Sequence, residues 1–172
     1  VVLPGVAGGL DPGLNDGHWA VANKCNPGVP VFSSETYPGW LRHWGEGNWA
    51  PTPGVVNHVR WFMDKGRSFS LFVFHGGTNF GFSAGANNGG PGKYQPDLTS
   101  YDYGSPVDEQ GRMNEYYAQM RDIILKKLPP EAAVPEPPAD IPAMEIPEFT
   151  PAVHAGLWAV SYTHLRAHET VL

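Results

Sequence analysis

Apolar residues gather in two short runs and two amphipathic stretches, and the order of these four predicts the fold class. Residues 29–33 have the length and apolar content of a buried strand, closed by the polar Ser34, Glu35 and Thr36. Residues 68–75, with Phe69, Leu71, Phe72, Val73 and Phe74, form a near-continuous apolar run that predicts a strand buried on both faces. Between them, Val55, Val56, Val59, Phe62 and Met63 fall at helical spacing and predict a helix over residues 53–65. Thr52 would be its N-cap, Pro53 its first residue and Gly66 its stop. A second amphipathic helix is predicted over residues 113–128, with Tyr116, Tyr117, Met120, Ile123, Ile124 and Leu128 on one face. Strand, helix, strand is the order of a parallel unit, so the chain is expected to be α/β.

The remaining segments carry little periodicity. The first 28 residues, rich in Gly, Asn, Asp and Pro, read mostly as loop, with a short helix around residues 18–23. Residues 76–111 form a Gly- and Asn-rich stretch too long for a mere connection, and it is expected to be functional. From Pro129 to Pro151 the prolines predict an extended linker without helix.

Composition narrows the function. The formal charge of −6 and the absence of a basic run argue against a nucleic-acid surface. A single cysteine, Cys25, excludes an intrachain disulfide framework. No apolar stretch approaches the roughly 18 residues of a membrane span, and no signal peptide is evident. The chain opens without Met, from which its start is expected to have been cut away. No His, Cys and Asp cluster has metal-ligand spacing, so no metal is expected.

The residues that carry chemistry surround Glu35. It ends a predicted strand, where α/β barrels and open α/β sheets place catalytic groups. A glycosidase needs one carboxylate at the oxocarbenium-like centre and a second to protonate the leaving oxygen. It also needs flat apolar walls for the sugar ring, which Tyr37, Trp40 and Trp44 could supply. The plainer alternative makes Glu35 a solvated loop residue and the aromatics ordinary core. Gly76-Gly77-Thr78-Asn79-Phe80-Gly81 is no phosphate cradle, since neither Lys-Ser/Thr nor dinucleotide spacing follows, and no cofactor is expected. His75 reads as a supporting histidine near the pocket, and His43 and Asp102 as residues that orient loops.

Three segments together resemble a known family. Ser34-Glu35-Thr36-Tyr37-Pro38-Gly39-Trp40-Leu41-Arg42-His43-Trp44-Gly45, Phe72-Val73-Phe74-His75-Gly76-Gly77-Thr78-Asn79-Phe80-Gly81 and Thr99-Ser100-Tyr101-Asp102-Tyr103-Gly104-Ser105-Pro106-Val107-Asp108-Glu109 are similar, in order, to signatures of glycoside hydrolase family 35, the β-galactosidases. The resemblance implies a partial (β/α)8 TIM barrel covering about the last two βα units. Residues 1–128 would be its C-terminal portion, and residues 129–159 a linker toward a β-sandwich. It also implies a retaining exo-β-galactosidase acting on terminal β-linked galactose, with Glu35 as catalytic nucleophile. Trp40, Tyr101 and Tyr103 would contact the β-galactoside, and which of the two tyrosines hydrogen-bonds is left open. Many members are secreted, periplasmic or lysosomal, but this sequence carries no address, and it does not indicate an oligomeric state.

The chain also departs from the family. The acid/base of the family comes from an Asn-Glu-Tyr/Phe motif upstream of the nucleophile, and none precedes Glu35. Asn114-Glu115-Tyr116 has the letters but opens the last predicted helix, so it reads as coincidence. The 172 residues alone are therefore expected to be inactive. Residues 160–170 resemble a translated transposase-type sequencing adapter, so residues 160–172 are expected not to be native and the chain to be a metagenomic fragment. A catalytically degenerate carbohydrate-binding module, or a barrel glycosidase of different sugar preference, would fit the same residues.

Overall fold

The computed structural model describes residues 3–47 and 54–154. The chain divides into two units, Val1–Pro142 and Ala143–Leu172. Among the described residues every helix and strand lies in the first, and residues 143–154 of the second form neither. The expected cap Thr52-Pro53 and the adapter-like residues 160–172 lie outside the described residues.

In chain order the elements are β1 (Gly8–Leu10), α1 (Asp16–Cys25), β2 (Val31–Thr36), α2 (Val55–Asp64), β3 (Ser68–Leu71), β4 (Ala86–Asn88), β5 (Tyr94–Pro96) and α3 (Glu115–Leu125). β1, β2 and β3 form a parallel sheet in sequence order, and β4 and β5 an antiparallel hairpin. The parallel α/β unit expected from the pattern is present, extended by one strand. Two strands were expected, and β1 fell in a segment read as loop. The reason is local: Gly8-Gly9-Leu10 offers no alternation to detect, and its pairing rests on backbone approach. A Cβ on Gly9 would stand 3.1 Å from both Cβ and Oγ of Ser34.

The helices follow their signals more closely. α1 outruns the expected 18–23 because Asn15 caps it, its side chain accepting from the Gly17 N–H at 2.7 Å. α2 ends as a glycine stop requires. The Gly66 N–H donates to Met63 O at 3.3 Å and the Arg67 N–H to Phe62 O at 2.9 Å, with Gly66 at φ 60°. Asn114 caps α3, accepting from the Tyr116 and Tyr117 N–H groups at 3.0 and 3.2 Å and donating to Ser105 O at 2.7 Å. Asn114-Glu115 thus has a structural occupation at a helix start.

The core lies where α2 and α3 cover β3. Val55, Val56, Val59, Met120 and Ile123 are buried together, with Met63, Phe69, Leu71, Tyr116 and Ile124 against them. Phe62 is fully buried and stacks on Phe69 with centroids 5.4 Å apart. One expectation fails: β3 is not an eight-residue strand buried on both faces. It stops at Leu71, its residues alternate between exposed and half-buried, and Phe72–His75 lies beyond it. Among the described residues β3 pairs with β2 on one side only.

Between β2 and β3 the pairing slips, from Ser33 opposite Phe69 to Thr36 opposite Leu71. β2 therefore carries an extra residue at Ser34-Glu35, which is a bulge. Ser33 and Thr36, three positions apart, would point to opposite faces of a regular strand. Here both are fully buried and their hydroxyls are 2.8 Å apart.

Phe62→Ala is expected to cost about 3–5 kcal/mol, the range for emptying a buried aromatic site. The urea midpoint of the complete protein should fall accordingly, and an unchanged midpoint would remove Phe62 from the core.

Candidate active site

Glu35 sits at the bulged C-terminal end of β2, and its nearest partner is on the same strand end. The Tyr37 hydroxyl donates to Glu35 Oε2. Above this pair five rings interlock. Tyr37 lies 5.6 Å from Trp40 and 6.0 Å from Phe72, centroid to centroid. Tyr103 lies 5.8 Å from Trp40, 5.8 Å from Phe72 and 5.2 Å from Tyr101. These separations and tilts suit edge-to-face aromatic packing. Tyr103 is buried at the centre of the cluster, while Trp40 is half exposed.

Three loops supply these rings, and backbone hydrogen bonds stitch the loops together. The Asn79 N–H donates to Thr99 O at 2.7 Å, and the Tyr101 N–H to Gly77 O at 2.9 Å. The Leu98 N–H donates to Arg42 O and the Trp44 N–H to Pro96 O, both at 2.9 Å. Two glycines permit the closest approaches. A Cβ on Gly76 would fall 1.7 Å from Tyr101 O, and one on Gly39 2.0 Å from Tyr103 O. Neither glycine is left-handed, so the demand is for space. Tyr103 itself takes φ 66°, an uncommon backbone for a bulky residue, within a turn where Asp102 Oδ1 accepts from the Gly104 N–H at 3.2 Å.

His43 is buried behind this surface. Its Nδ1 lies 2.9 Å from Glu46 Oε1, and its Nε2 3.2 Å from Asn87 Nδ2 and 3.4 Å from Asp97 Oδ1. It ties the Trp40 loop to β4 and to the segment after β5, the loop-orienting work expected of it. Asp102 does the same for its own turn. His75 is exposed, and its backbone bridges to Val107.

Electrostatics hold the tyrosine protons in place. The Tyr37 hydroxyl is pushed well above the usual tyrosine range, first by its hydrogen bond to Glu35, then by burial and by Asp11. Tyr103 is raised by burial, then by Tyr101, Glu35 and Asp11, and Tyr101 by burial and Asp97. Tyr37 is therefore a permanent hydrogen-bond donor at neutral pH.

Glu35, Trp40, Tyr101 and Tyr103, singled out in the sequence, thus gather in one cluster. Trp44, expected as a wall, is largely exposed, and no ring contact joins it to the cluster. Phe72 and the hydroxyl of Tyr37 were missed in their present roles. Phe72 was read as strand core, and Tyr37 as an apolar wall. The signal for Tyr37 was its place two residues after a carboxylate on a strand, a spacing that alternation alone puts on one face. A cleft of about 550 Å3 lies instead between β1 and α1, lined by Leu3, Val6, Leu10, Val21 and Cys25, and no site residue borders it. Among the described residues no group of three or more His, Cys, Asp or Glu could hold a metal ion, and no helix is long and apolar enough to cross a membrane.

The family model of the glycosyl hydrolases family 35 matches residues 7–127. The chain is 41% identical over 114 residues to a beta-galactosidase of Homo sapiens, covering 65% of this chain and 16% of that protein. It is 36% identical over 154 residues to one of Bos taurus, covering 88% and 21%. With Beta-galactosidase 17 of Arabidopsis thaliana it shares 37% identity over 134 residues, covering 74% and 19%. The chain belongs to glycosyl hydrolases family 35. That is a TIM-barrel family, of which the described residues form a small α/β part without a closed barrel. The chain spans about a fifth or less of the length of these relatives.

Gly39→Ala and Gly76→Ala should each displace a loop, at a cost of about 1–3 kcal/mol or more, and erase much of the near-ultraviolet circular dichroism of the ring cluster. Gly47→Ala, with open space around its Cβ position and no left-handed backbone to strain, should leave that signal intact. Equal spectra for all three would refute the close-approach argument.

The folded state holds the three tyrosine protons more tightly than an unfolded chain does. The resulting stabilisation is present below about pH 10 and is lost as pH rises past it. Stability should fall above about pH 10, and less so in Tyr103→Phe. A flat profile there would contradict the assignment.

Proposed function

We propose that the protein carrying this chain is a retaining exo-β-galactosidase, with Glu35 as its nucleophile. The observation that carries this reading is Glu35 itself, at the β2 bulge and held by the hydroxyl of Tyr37, whose ring packs against Trp40 and Phe72. Relatives bearing the name beta-galactosidase support the substrate class.

In the proposed reaction a Glu35 oxygen attacks the anomeric carbon of a terminal β-galactosyl unit. The bond from that carbon to the leaving oxygen breaks, and the leaving oxygen takes a proton from a second carboxylic acid. That acid comes from a part of the protein beyond these residues. Water, deprotonated by the same group, then attacks the galactosyl ester and frees Glu35, so two inversions give net retention. Tyr37 keeps the carboxylate at one rotamer. The exposed face of Trp40 packs on sugar C–H groups, and Tyr101 and Tyr103 line the pocket. Residues 1–128 serve as the C-terminal portion of the barrel, and residues 129–159 as a linker. The isolated chain, with one carboxylate of the pair and an open sheet, is inactive.

The test is hydrolysis of an aryl β-galactoside by the complete protein. Glu35→Gln should reduce turnover by roughly 10⁴-fold. Tyr37→Phe should reduce it about 10-fold or more, since a hydrogen bond to a charged group is worth about 1.5–3 kcal/mol. Near-normal turnover in Glu35→Gln would overturn the nucleophile assignment, and an α-anomer as first product would overturn retention.

A further inference from the structure

A second carboxylate stands at the mouth of the cluster, on the strand the sequence pattern did not reveal. Asp11 directly follows β1, whose register sets Leu10 beside Ser33. One step further along, Asp11 comes level with Ser34-Glu35, where β2 bulges. Three contacts fix this rim. Ser34 Oγ donates to Leu10 O at 3.0 Å. Gly13, at φ 74°, folds the chain back so closely that a Cβ there would lie 2.7 Å from Leu10 Cβ. The buried Trp19 closes the turn, its Nε1–H donating to Gly13 O at 2.6 Å.

Asp11 is exposed on this rim, and its negative charge helps to raise the Tyr37 hydroxyl that already serves Glu35. Tyr37 has one proton, and it is committed to Glu35. Neighbouring strands lie roughly 5 Å apart, so the end of β1 sets the Asp11 backbone about one sugar-ring width from the strand end that carries Glu35. Asp11 retains acceptor capacity there, and what enters the space beside Glu35 brings hydroxyl donors.

We infer that Asp11 is a sugar-reading residue, its carboxylate accepting a hydrogen bond from a ring hydroxyl of the galactosyl unit bound at Glu35. This rests on the β-galactosidase reading above. A charged acceptor facing a hydroxyl discriminates against analogues that lack it, because the bound sugar then covers the carboxylate without offering it a donor. Asp11 thus selects for a correctly placed hydroxyl, while Glu35 performs the chemistry.

The experiment compares the complete protein, wild type and Asp11→Asn, on an aryl β-galactoside and its monodeoxy analogues, with galactose affinity read from tryptophan fluorescence. Asp11→Asn should lower kcat/KM roughly 30-fold on the parent glycoside, the scale of a charge-assisted hydrogen bond. On one deoxy analogue, already poor for wild type, the variant should lose nothing further. Galactose affinity should fall in parallel, with an unchanged melting curve, and Asp11→Ser should behave alike if the Asn variant misfolds. A variant within about twofold of wild type, or an equal loss on every analogue, would overturn the inference. If wild type binds galactose without hydrolysing the glycoside, the enzymatic reading fails while the affinities still decide Asp11. If it neither binds nor hydrolyses, both readings fall.

Discussion

The site depends on two places where one backbone passes against another with no room for a side chain. Gly39 meets the carbonyl of Tyr103 and Gly76 that of Tyr101, at separations that a single methyl group would abolish. These contacts locate the segment after β5 relative to the ends of β2 and β3, and with it the two tyrosines that fill the middle of the ring cluster. The hydrogen bonds from Asn79 to Thr99 and from Tyr101 to Gly77 lock the same arrangement. Hydrophobic burial holds α2 and α3 against β3, but it does not place the rings. Their positions follow from main-chain geometry.

A division of labour follows. The helical face built on Val55, Val59, Phe62 and Met120 is a packed layer that tolerates no vacancy. The loop face is polar and aromatic, tied by His43 between Glu46, Asn87 and Asp97 and by Asp102 within its turn. This network ties the loops of the site to one another.

Much of this was legible in the sequence, and the rest has identifiable causes. The faces of α2 and α3 were readable because periodicity and burial share one cause, and Gly66 marked its stop by a backbone need that few residues meet. Glu35, Trp40, Tyr101 and Tyr103 were found because polar and aromatic residues in loops stand out against turn composition. β1 was missed because two glycines pair through backbone alone. The hairpin of β4 and β5 was hidden in a Gly- and Asn-rich stretch that offers no apolar alternation. The bulge could not be read either. It appears only when β3 is laid beside β2 and the register slips between Ser33 and Thr36.

Tyr37 lies two residues along the same strand end from the carboxylate it grips, so donor and acceptor form one heritable cassette. A change of length in any connecting loop shifts them together, and a genetic crossover outside that tripeptide cannot part them. The rings of Phe72, Tyr101 and Tyr103 come from later segments and enjoy no such protection. The orientation of the carboxylate is thereby insulated from changes of loop length, whereas the walls around it depend on how several loops are joined.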